Sequence, residues 1–221
     1  RIWMDLLDLA AGGMASLRID AKNVNAEAIM GSRYAKLVDF LGDTHEIITF
    51  PSDWRRPLAE AADRLAAEIM ARLGAAERNK QPISVLAHSM GGLVTRTMIA
   101  KHPDVWSRMG AHAESRLIML GTPNGGSYSI PVMLTARDPL VRKLALLDLG
   151  HKHGELLEII ARFTGALQML PVQTRWDFFD PAFWAKLADD DHPAKDGAKP
   201  WALPTSKDLE EARAARKLLD D

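Results

Sequence analysis

The chain has 221 residues, and 28 Lys and Arg against 29 Asp and Glu give a net charge of −1, which offers nothing to attract nucleic acid. Hydrophobic residues make up 47% and charged residues 26%, a globular composition that excludes disordered, collagenous and coiled-coil proteins. The absence of Cys excludes disulfides, thiol catalysis and thiolate metal ligands. The longest apolar run, 117–120, is far shorter than the roughly 18 residues that a bilayer span requires, so no transmembrane segment is expected.

Short apolar runs bounded by turn residues predict three strands, over 46–50, 83–87 and 117–120. Apolar residues at helical spacing predict helices, over 3–11, 32–41, 57–73, 90–101, 132–149, 155–170 and 205–219. Between residues 45 and 122 strands alternate with helices, an order typical of βαβ units. We therefore expect an α/β fold, with a mostly parallel sheet covered by helices on both faces.

The chain after residue 130 has a different character. No strand is predicted there, and residues 171–204 are rich in Pro, Trp and Asp. We expect two regions, an α/β core over 1–130 and a mostly helical lid or cap over 131–221. The chain opens at Arg1 rather than Met and closes inside a predicted helix, so we expect it to be an internal piece of a longer polypeptide. No secretory signal is visible; the compartment stays open, with the cytoplasm as the favoured expectation.

The residues with the clearest chemical implication join the second predicted strand to the following helix. A strand that turns into a helix through Ser89 must turn sharply, and the positions two before and two after must be small to avoid a collision. Ala87 and Gly91 meet that demand. We therefore predict that Ser89 is a nucleophile and that the backbone N–H of Met90 is an oxyanion donor. His88 should face away from the Ser89 hydroxyl, because neighbouring strand residues point to opposite faces, so it is assigned a packing or positioning role.

Four segments resemble the α/β-hydrolase superfamily and, more narrowly, the lecithin:cholesterol acyltransferase family with its bacterial lipase-like relatives. They read Phe-Pro-Ser-Asp-Trp-Arg (50–55), Leu-Ala-His-Ser-Met-Gly-Gly (86–92), Leu-Gly-Thr-Pro-Asn-Gly-Gly-Ser (120–127) and Asp-Phe-Phe-Asp-Pro (177–181), followed by Trp184. The resemblance implies a partial α/β-hydrolase fold with a long helical lid or cap insertion. It also implies acyl transfer through a Ser–Asp–His triad on lipid or other ester substrates, with Ser89 at the nucleophile position. Ala87 stands where Gly is commoner, and Ser52 stands where many relatives have an aromatic residue.

In this superfamily the acid and the base follow the nucleophile on loops after later strands. No later strand is predicted here, so we expect both residues, and the strands that carry them, to lie beyond residue 221. The remainder of its own polypeptide is then the partner that the chain needs, and alone it should be a poor catalyst. Within the chain, His192 with Asp177 or Asp180 keeps the required order, but exposed lid residues are the favoured interpretation of these three.

Other candidate site residues lie on loops that follow predicted strands, where α/β sites gather. Thr122, Asn124 and Gly125 should border the substrate pocket, although their loop is also a tight turn. Trp54 is a further pocket candidate; the favoured alternative is that Trp54 packs while Arg55 pairs with an acid. No cofactor and no metal site is predicted, since His151 and His153 have no third ligand nearby.

The apolar residues of the predicted lid have two interpretations, helix core or a lipid-binding face, and the first is the commoner. They are Leu146, Leu147, Leu156, Ile159, Ile160, Phe163, Leu167 and Leu170. The function expected is therefore a serine esterase, lipase or O-acyltransferase with possible surface contact with lipid. Alternatives are a non-catalytic binding or assembly module, or a strand-to-helix turn at Ser89 (residues 87–92, here called the elbow) that acts on thioesters or peroxyacids.

Overall fold

A computed structural model of the chain describes residues 17–21, 24–139, 153–191 and 201–220. The strands are β1 (Val85–His88) and β2 (Leu117–Leu120). The helices are α1 (Gly31–Gly42), α2 (Leu58–Asn79), α3 (Met90–Lys101), α4 (Pro103–Gly110), α5 (Ser129–Leu134), α6 (His153–Ala161), α7 (Thr164–Leu167), α8 (Pro181–Asp191) and α9 (Ser206–Asp220). The described residues form a mixed α/β structure, in agreement with the predicted fold class; the predicted helix 3–11 lies outside them.

The sheet consists of β1 and β2, which pair in parallel with Val85 opposite Leu117 and His88 opposite Leu120. Both strands lie where the sequence predicted them, within one or two residues. The prediction that helices cover both faces is not met within the described residues. Leu86, Ile118 and Leu120 share one face and are 41%, 48% and 43% exposed. The other face packs against helices through Val85.

The predicted strand 46–50 is wrong: among the described residues it has no place in the sheet. Ile48 is exposed, while Phe50 packs against the helices with the Arg64 guanidinium 5.3 Å from its ring centre. β-propensity reflects packing on a pleated surface, and a segment without a neighbour that shares backbone hydrogen bonds does not become a strand.

One hydrophobic core, here called the helix–sheet cluster, is formed by α2, α3 and α4 with Leu219 of α9. Its main contributor is α2, which was predicted to end at Gly74 but continues to Asn79. One helical Gly costs only about 1 kcal/mol relative to Ala. The helix instead ends at Asn79. Lys80, the next residue, has a φ of 53°, and Gln81 N–H donates to the Ala76 carbonyl at 2.9 Å, as in a Schellman motif.

The second core, here called the cap cluster, gathers buried side chains from Leu17, from α5 to α9 and from the loops between them. The predicted helix 155–170 is in fact split into α6 and α7 at residues 162–163. The predicted helix 132–149 is interrupted, because α5 ends at Leu134 and Ala136 has a φ of 57°. Residues 140–149 lie outside the described part. Two helices were not predicted at all, α4 and α8.

The two clusters are joined by shared residues. Met169 packs against both. Helix α9 contributes Leu209 and Ala212 to the cap cluster and Leu219 to the helix–sheet cluster. Of the apolar residues in the predicted lid, the five whose side chains the structure describes are buried in the cap cluster, as the helix-core interpretation requires; they are Ile159, Ile160, Phe163, Leu167 and Leu170. Among the described helices, none has the length and hydropathy to cross a bilayer.

Candidate active site

Ser89 alone connects β1, which ends at His88, to α3, which begins at Met90. Its φ of 53° and ψ of −126° lie in a region that L residues rarely adopt, and such a conformation costs on the order of 1–3 kcal/mol. The Ser89 N–H donates to the Leu120 carbonyl at 2.9 Å, so the last residue of β2 helps to hold the turn. The strained strand-to-helix turn expected from the sequence is therefore present.

The small residues around Ser89 have identifiable steric reasons. A Cβ on Gly91 would stand 3.9 Å from the Cβ of Ala87, which leaves little room for anything larger at either position. A Cβ on Gly92 would collide with the Thr122 side chain. Gly92 thus allows the loop after β2 to lie directly against the first turn of α3. The Thr122 hydroxyl is buried there and has no hydrogen-bond partner in the described part of the chain.

Met90 is the first residue of α3, so its N–H has no acceptor within the helix. No other acceptor is found for this N–H among the described residues. The positive end of the helix dipole adds to the attraction for an oxyanion at this position. The Met90 side chain reaches α7: a Cβ on Gly165 would lie 2.9 Å from Met90 Cε and would collide with the carbonyl oxygens of Trp54 and Arg56.

The Ser89 hydroxyl itself makes no hydrogen bond to any described residue. The side chain of its neighbour, His88, pairs instead with α1: the Tyr34 hydroxyl lies 2.6 Å from His88 Nδ1, and the two rings meet edge to face. His88 is thus engaged with another helix, as expected of a packing or positioning residue.

The loop after β2 is held from several sides. Within it, Asn124 N–H donates to the Thr122 carbonyl at 2.8 Å and Gly126 N–H donates to the Pro123 carbonyl at 2.9 Å. Outside it, Val172 N–H donates to the Gly125 carbonyl at 3.0 Å. The loop is a tight turn, and it lies beside the elbow because Thr122 packs on Gly92.

Asp53 and Arg55 form a bidentate ion pair. Arg55 Nη2 lies 2.6 Å from Asp53 Oδ2 and Nε lies 2.9 Å from Oδ1, with the two side chains 2% and 9% exposed. Burial raises the pKa of the Asp53 carboxyl, but hydrogen bonds from Arg55 and its positive charge outweigh this and lower the pKa overall. Arg55 also donates to the Leu17 carbonyl at 2.9 Å. The pairing of Arg55 with an acid, which the sequence analysis favoured, is therefore present.

Trp54 packs at the edge of the cap cluster, with its ring edge-to-face on Phe163 at 5.0 Å between centres. The flanking loop is tied to α7 by the Arg55 carbonyl, which accepts from Gly165 N–H at 3.0 Å. Three residues further on, the Gln168 side chain accepts from Leu58 N–H at 2.7 Å and caps α2. These contacts were not predicted, and no short-range pattern signals a cap from a residue 110 positions away.

The alternative acids, Asp177 and Asp180, are engaged in local structure. Asp177 accepts from Phe179 N–H and pairs with Arg213 at 2.8 Å. Burial raises the pKa of Asp177, yet these hydrogen bonds and the Arg213 charge lower it overall. Asp180 accepts from Ala182 N–H at the start of α8 at 2.9 Å. Their candidate partner His192 lies outside the described residues.

No group of three or more potential metal ligands occurs in the part of the chain that the structure describes. His151 lies outside that part, as does the side chain of His153. A surface cavity of about 350 Å³ is lined by Thr49, Phe50, Pro51, Arg64, Ala67 and Glu68. Ser89 does not line this cavity.

Residues 56–125 match the model of the family described as "Putative serine esterase (DUF676)". The matched segment begins in the loop before α2, includes the elbow, and ends in the loop after β2. No curated protein and no solved structure matches the chain. The match supports an esterase family of the α/β-hydrolase type, with hydrolase activity on an ester substrate. The chain is thus similar to serine esterases over the segment that carries the Ser89 turn.

Proposed function

We propose that the protein is a serine esterase or lipase, or an O-acyltransferase, that acts on lipid or other ester substrates through an acyl-enzyme on Ser89. One observation carries the proposal: Ser89 holds a strained positive φ at a strand–helix junction inside the segment that matches serine esterases. Such a turn presents the hydroxyl above the sheet edge, beside the N-terminus of a helix.

In the proposed reaction, Ser89 Oγ attacks the ester carbonyl carbon while its proton passes to a histidine base. The carbonyl oxygen becomes an oxyanion, which the Met90 N–H stabilises together with the N-terminus of α3. The C–O bond then breaks, the alcohol takes the proton from the histidine, and the acyl group stays on Ser89. Water or a second alcohol removes the acyl group and restores the hydroxyl.

The described residues bring no histidine to the Ser89 hydroxyl, so we expect the base and its acid from outside them. We further propose that Thr122, Asn124, Gly125 and Trp54 border the acyl pocket. Thr122 lies against the elbow at Gly92, and the Trp54 carbonyl lies close to Gly165 and, through it, to Met90. The cap region over 131–221 is proposed as the cover of this pocket.

The acceptor separates the two forms of the proposal. Hydrolysis uses water and fits the serine esterase match over 56–125. Transfer to an alcohol, and a lipid as the acyl donor, are supported by the resemblance of the four sequence segments to the lecithin:cholesterol acyltransferase family. Thioesters or peroxyacids as donors would use the same elbow and differ only in the leaving group.

The decisive test exposes the complete gene product to a fluorophosphonate probe, which phosphonylates activated serines, and maps the adduct by peptide mass spectrometry. We expect rapid labelling at Ser89 and none in Ser89→Ala. Ser107→Ala, which removes an exposed serine on α4, should label as the wild type does. A folded protein that takes up no label at Ser89 would contradict the enzymatic proposal and favour a non-catalytic binding module.

A further inference from the structure

Asn124, in the loop after β2, accepts hydrogen bonds from two arginines that lie on two different helices. Arg96 Nη1 of α3 donates to the Asn124 side-chain oxygen at 3.0 Å. Arg216 Nη2 of α9 donates to the Asn124 main-chain carbonyl. Both acceptors of this residue are therefore used, and each is held by a charged donor, which makes a stronger hydrogen bond than a neutral one.

The same two arginines connect their helices. Arg96 Nη2 also donates to the Leu219 carbonyl in the last turn of α9. Arg216 is 2% exposed and lies between the two clusters, since Ala212 belongs to the cap cluster and Leu219 to the helix–sheet cluster. A buried guanidinium destabilises a protein unless it is hydrogen-bonded, and the bond to the Asn124 carbonyl supplies such a partner for Arg216.

The loop that contains Asn124 contacts the elbow directly. It leaves β2 at Leu120, whose carbonyl accepts from Ser89 N–H at 2.9 Å. Two residues later, Thr122 packs on Gly92 in the first turn of α3. A displacement of Asn124 is therefore transmitted over a few residues to both sides of the nucleophile turn.

We propose that Arg96 and Arg216 are positioning residues for acyl transfer at Ser89, because together they hold Asn124, and with it the loop 121–126, against the elbow. This inference rests on the function proposed above and extends it to α9, more than a hundred residues after the nucleophile. Arginine suits the role because its planar fork donates in fixed directions, which a lysine ammonium does not.

The test compares the full-length wild type with Arg216→Gln, Arg216→Lys and Arg96→Gln. The first readout is the rate of fluorophosphonate labelling at Ser89, separated into the maximal rate and the half-saturating probe concentration. A displacement of roughly 1 Å at a catalytic group costs up to about 100-fold in rate. We expect Arg216→Gln to lower the maximal rate about 10-fold to 100-fold with little change in half-saturation, and Arg216→Lys to recover part of the loss.

The second readout needs no activity. Hydrogen–deuterium exchange of the peptide that contains residues 121–127 should be at least about 10-fold faster in Arg216→Gln and Arg96→Gln. Without the arginine the loop opens more often, and the hydrogen bonds that protect the amides of Asn124 and Gly126 are broken when it does. The matched control is Arg213→Gln, which lies one turn earlier on α9 and pairs with Asp177 rather than with the loop. It should change neither exchange over 121–127 nor labelling.

The outcomes separate the two proposals. A wild type that labels at Ser89, with both glutamine variants labelling and exchanging at the wild-type rate, would overturn the positioning role alone. A wild type that takes up no label contradicts the proposed function, and exchange over 121–127 then decides whether the arginines hold the loop. Circular dichroism checks folding; if the buried Arg216→Gln does not fold, the partly exposed Arg96→Gln decides.

Discussion

The two hydrophobic clusters are built in different ways. None of the buried residues of the helix–sheet cluster is aromatic, and all but Leu219 come from three helices between residues 58 and 110. The buried residues of the cap cluster come from segments scattered between residues 17 and 212. Five of them are large aromatics, Phe163, Phe178, Phe179, Trp184 and Trp201. The first core follows from apolar spacing within helices, whereas the second requires loops and short helices to meet over long sequence distances.

The candidate site lies where these two cores meet. Met90 packs against the helix–sheet cluster, and its Cε approaches Gly165 of α7, the helix that contributes Ala166 and Leu167 to the cap cluster. The loop 53–55 follows the same pattern, since Arg55 precedes α2 while its carbonyl is bonded to Gly165. The elbow is therefore a local feature, and part of its surroundings comes from α7, which belongs to the second core.

The largest expected effect comes from removing the central side chain of the cap cluster. Trp184 is fully buried, its indole N–H donates to the Phe178 carbonyl at 2.8 Å, and its ring lies against Phe183. We expect Trp184→Ala to lower the free energy of unfolding by about 4 kcal/mol, because a large cavity opens. Chemical denaturation monitored by circular dichroism measures it.

The control for that variant is Trp176→Ala, which removes an exposed indole from the same region and should cost under about 1 kcal/mol. Since α9 and Met169 contact both clusters, we expect one cooperative transition in the wild type and in Trp184→Ala. Two separated transitions, with only the first one shifted, would show instead that the cap cluster unfolds by itself.

A smaller effect is expected from the ion pair next to the cap. Asp53→Asn leaves the Arg55 guanidinium buried without its carboxylate and should cost about 3 kcal/mol at pH 7. The folded-state pKa of Asp53 is lowered relative to the unfolded value of about 4, so its contribution is complete above pH 4 and is lost as the pH falls through the folded pKa. The difference in stability between wild type and Asp53→Asn should therefore shrink below pH 4.

Asp20→Asn is the matched control, because Arg18 and Asp20 have the same spacing in sequence but are both exposed. Its cost should stay below about 1 kcal/mol at every pH. Equal costs for the two variants, measured by urea denaturation from pH 2 to pH 7, would remove the distinction between the buried and the exposed pair.

The smallest effects are expected at two glycines, Gly165 where the two cores meet and Gly74 inside the first core. Gly165→Ala should destabilise the protein by about 2 kcal/mol and slow labelling of Ser89, because the new methyl group meets two carbonyl oxygens and Met90 Cε. Gly74→Ala, inside α2, should stabilise it by about 0.5–1 kcal/mol, since the new Cβ meets only the Arg78 guanidinium at 3.6 Å. Thermal denaturation of the two variants gives the signs, and the same sign for both would contradict this assignment.

The sequence predicted the elbow with close boundaries because its requirements are local. A strand, a single turning residue and small flanking residues are all visible within Ala87 to Gly92, and α3 and β2 have the predicted limits. It predicted α2 but stopped it at Gly74, since Gly is a frequent end of helices. It placed a strand at 46–50 because β-propensity is visible without the partner that a strand needs.

The sequence was enough to predict the strained turn at Ser89, because the strand end, the turning residue and its small neighbours all lie between Ala87 and Gly92. It also predicted the α/β class, from the alternation of strands and helices, and an acid as the partner of Arg55. Only the tertiary structure decided which distant groups complete these features: Gln168 as the cap of α2, Gly165 as the neighbour of Met90, and Arg96 with Arg216 as the grip on Asn124. These contacts join residues that are 28 to 110 positions apart. They form because burial of the two clusters brings distant segments together, and no local preference of the chain specifies them.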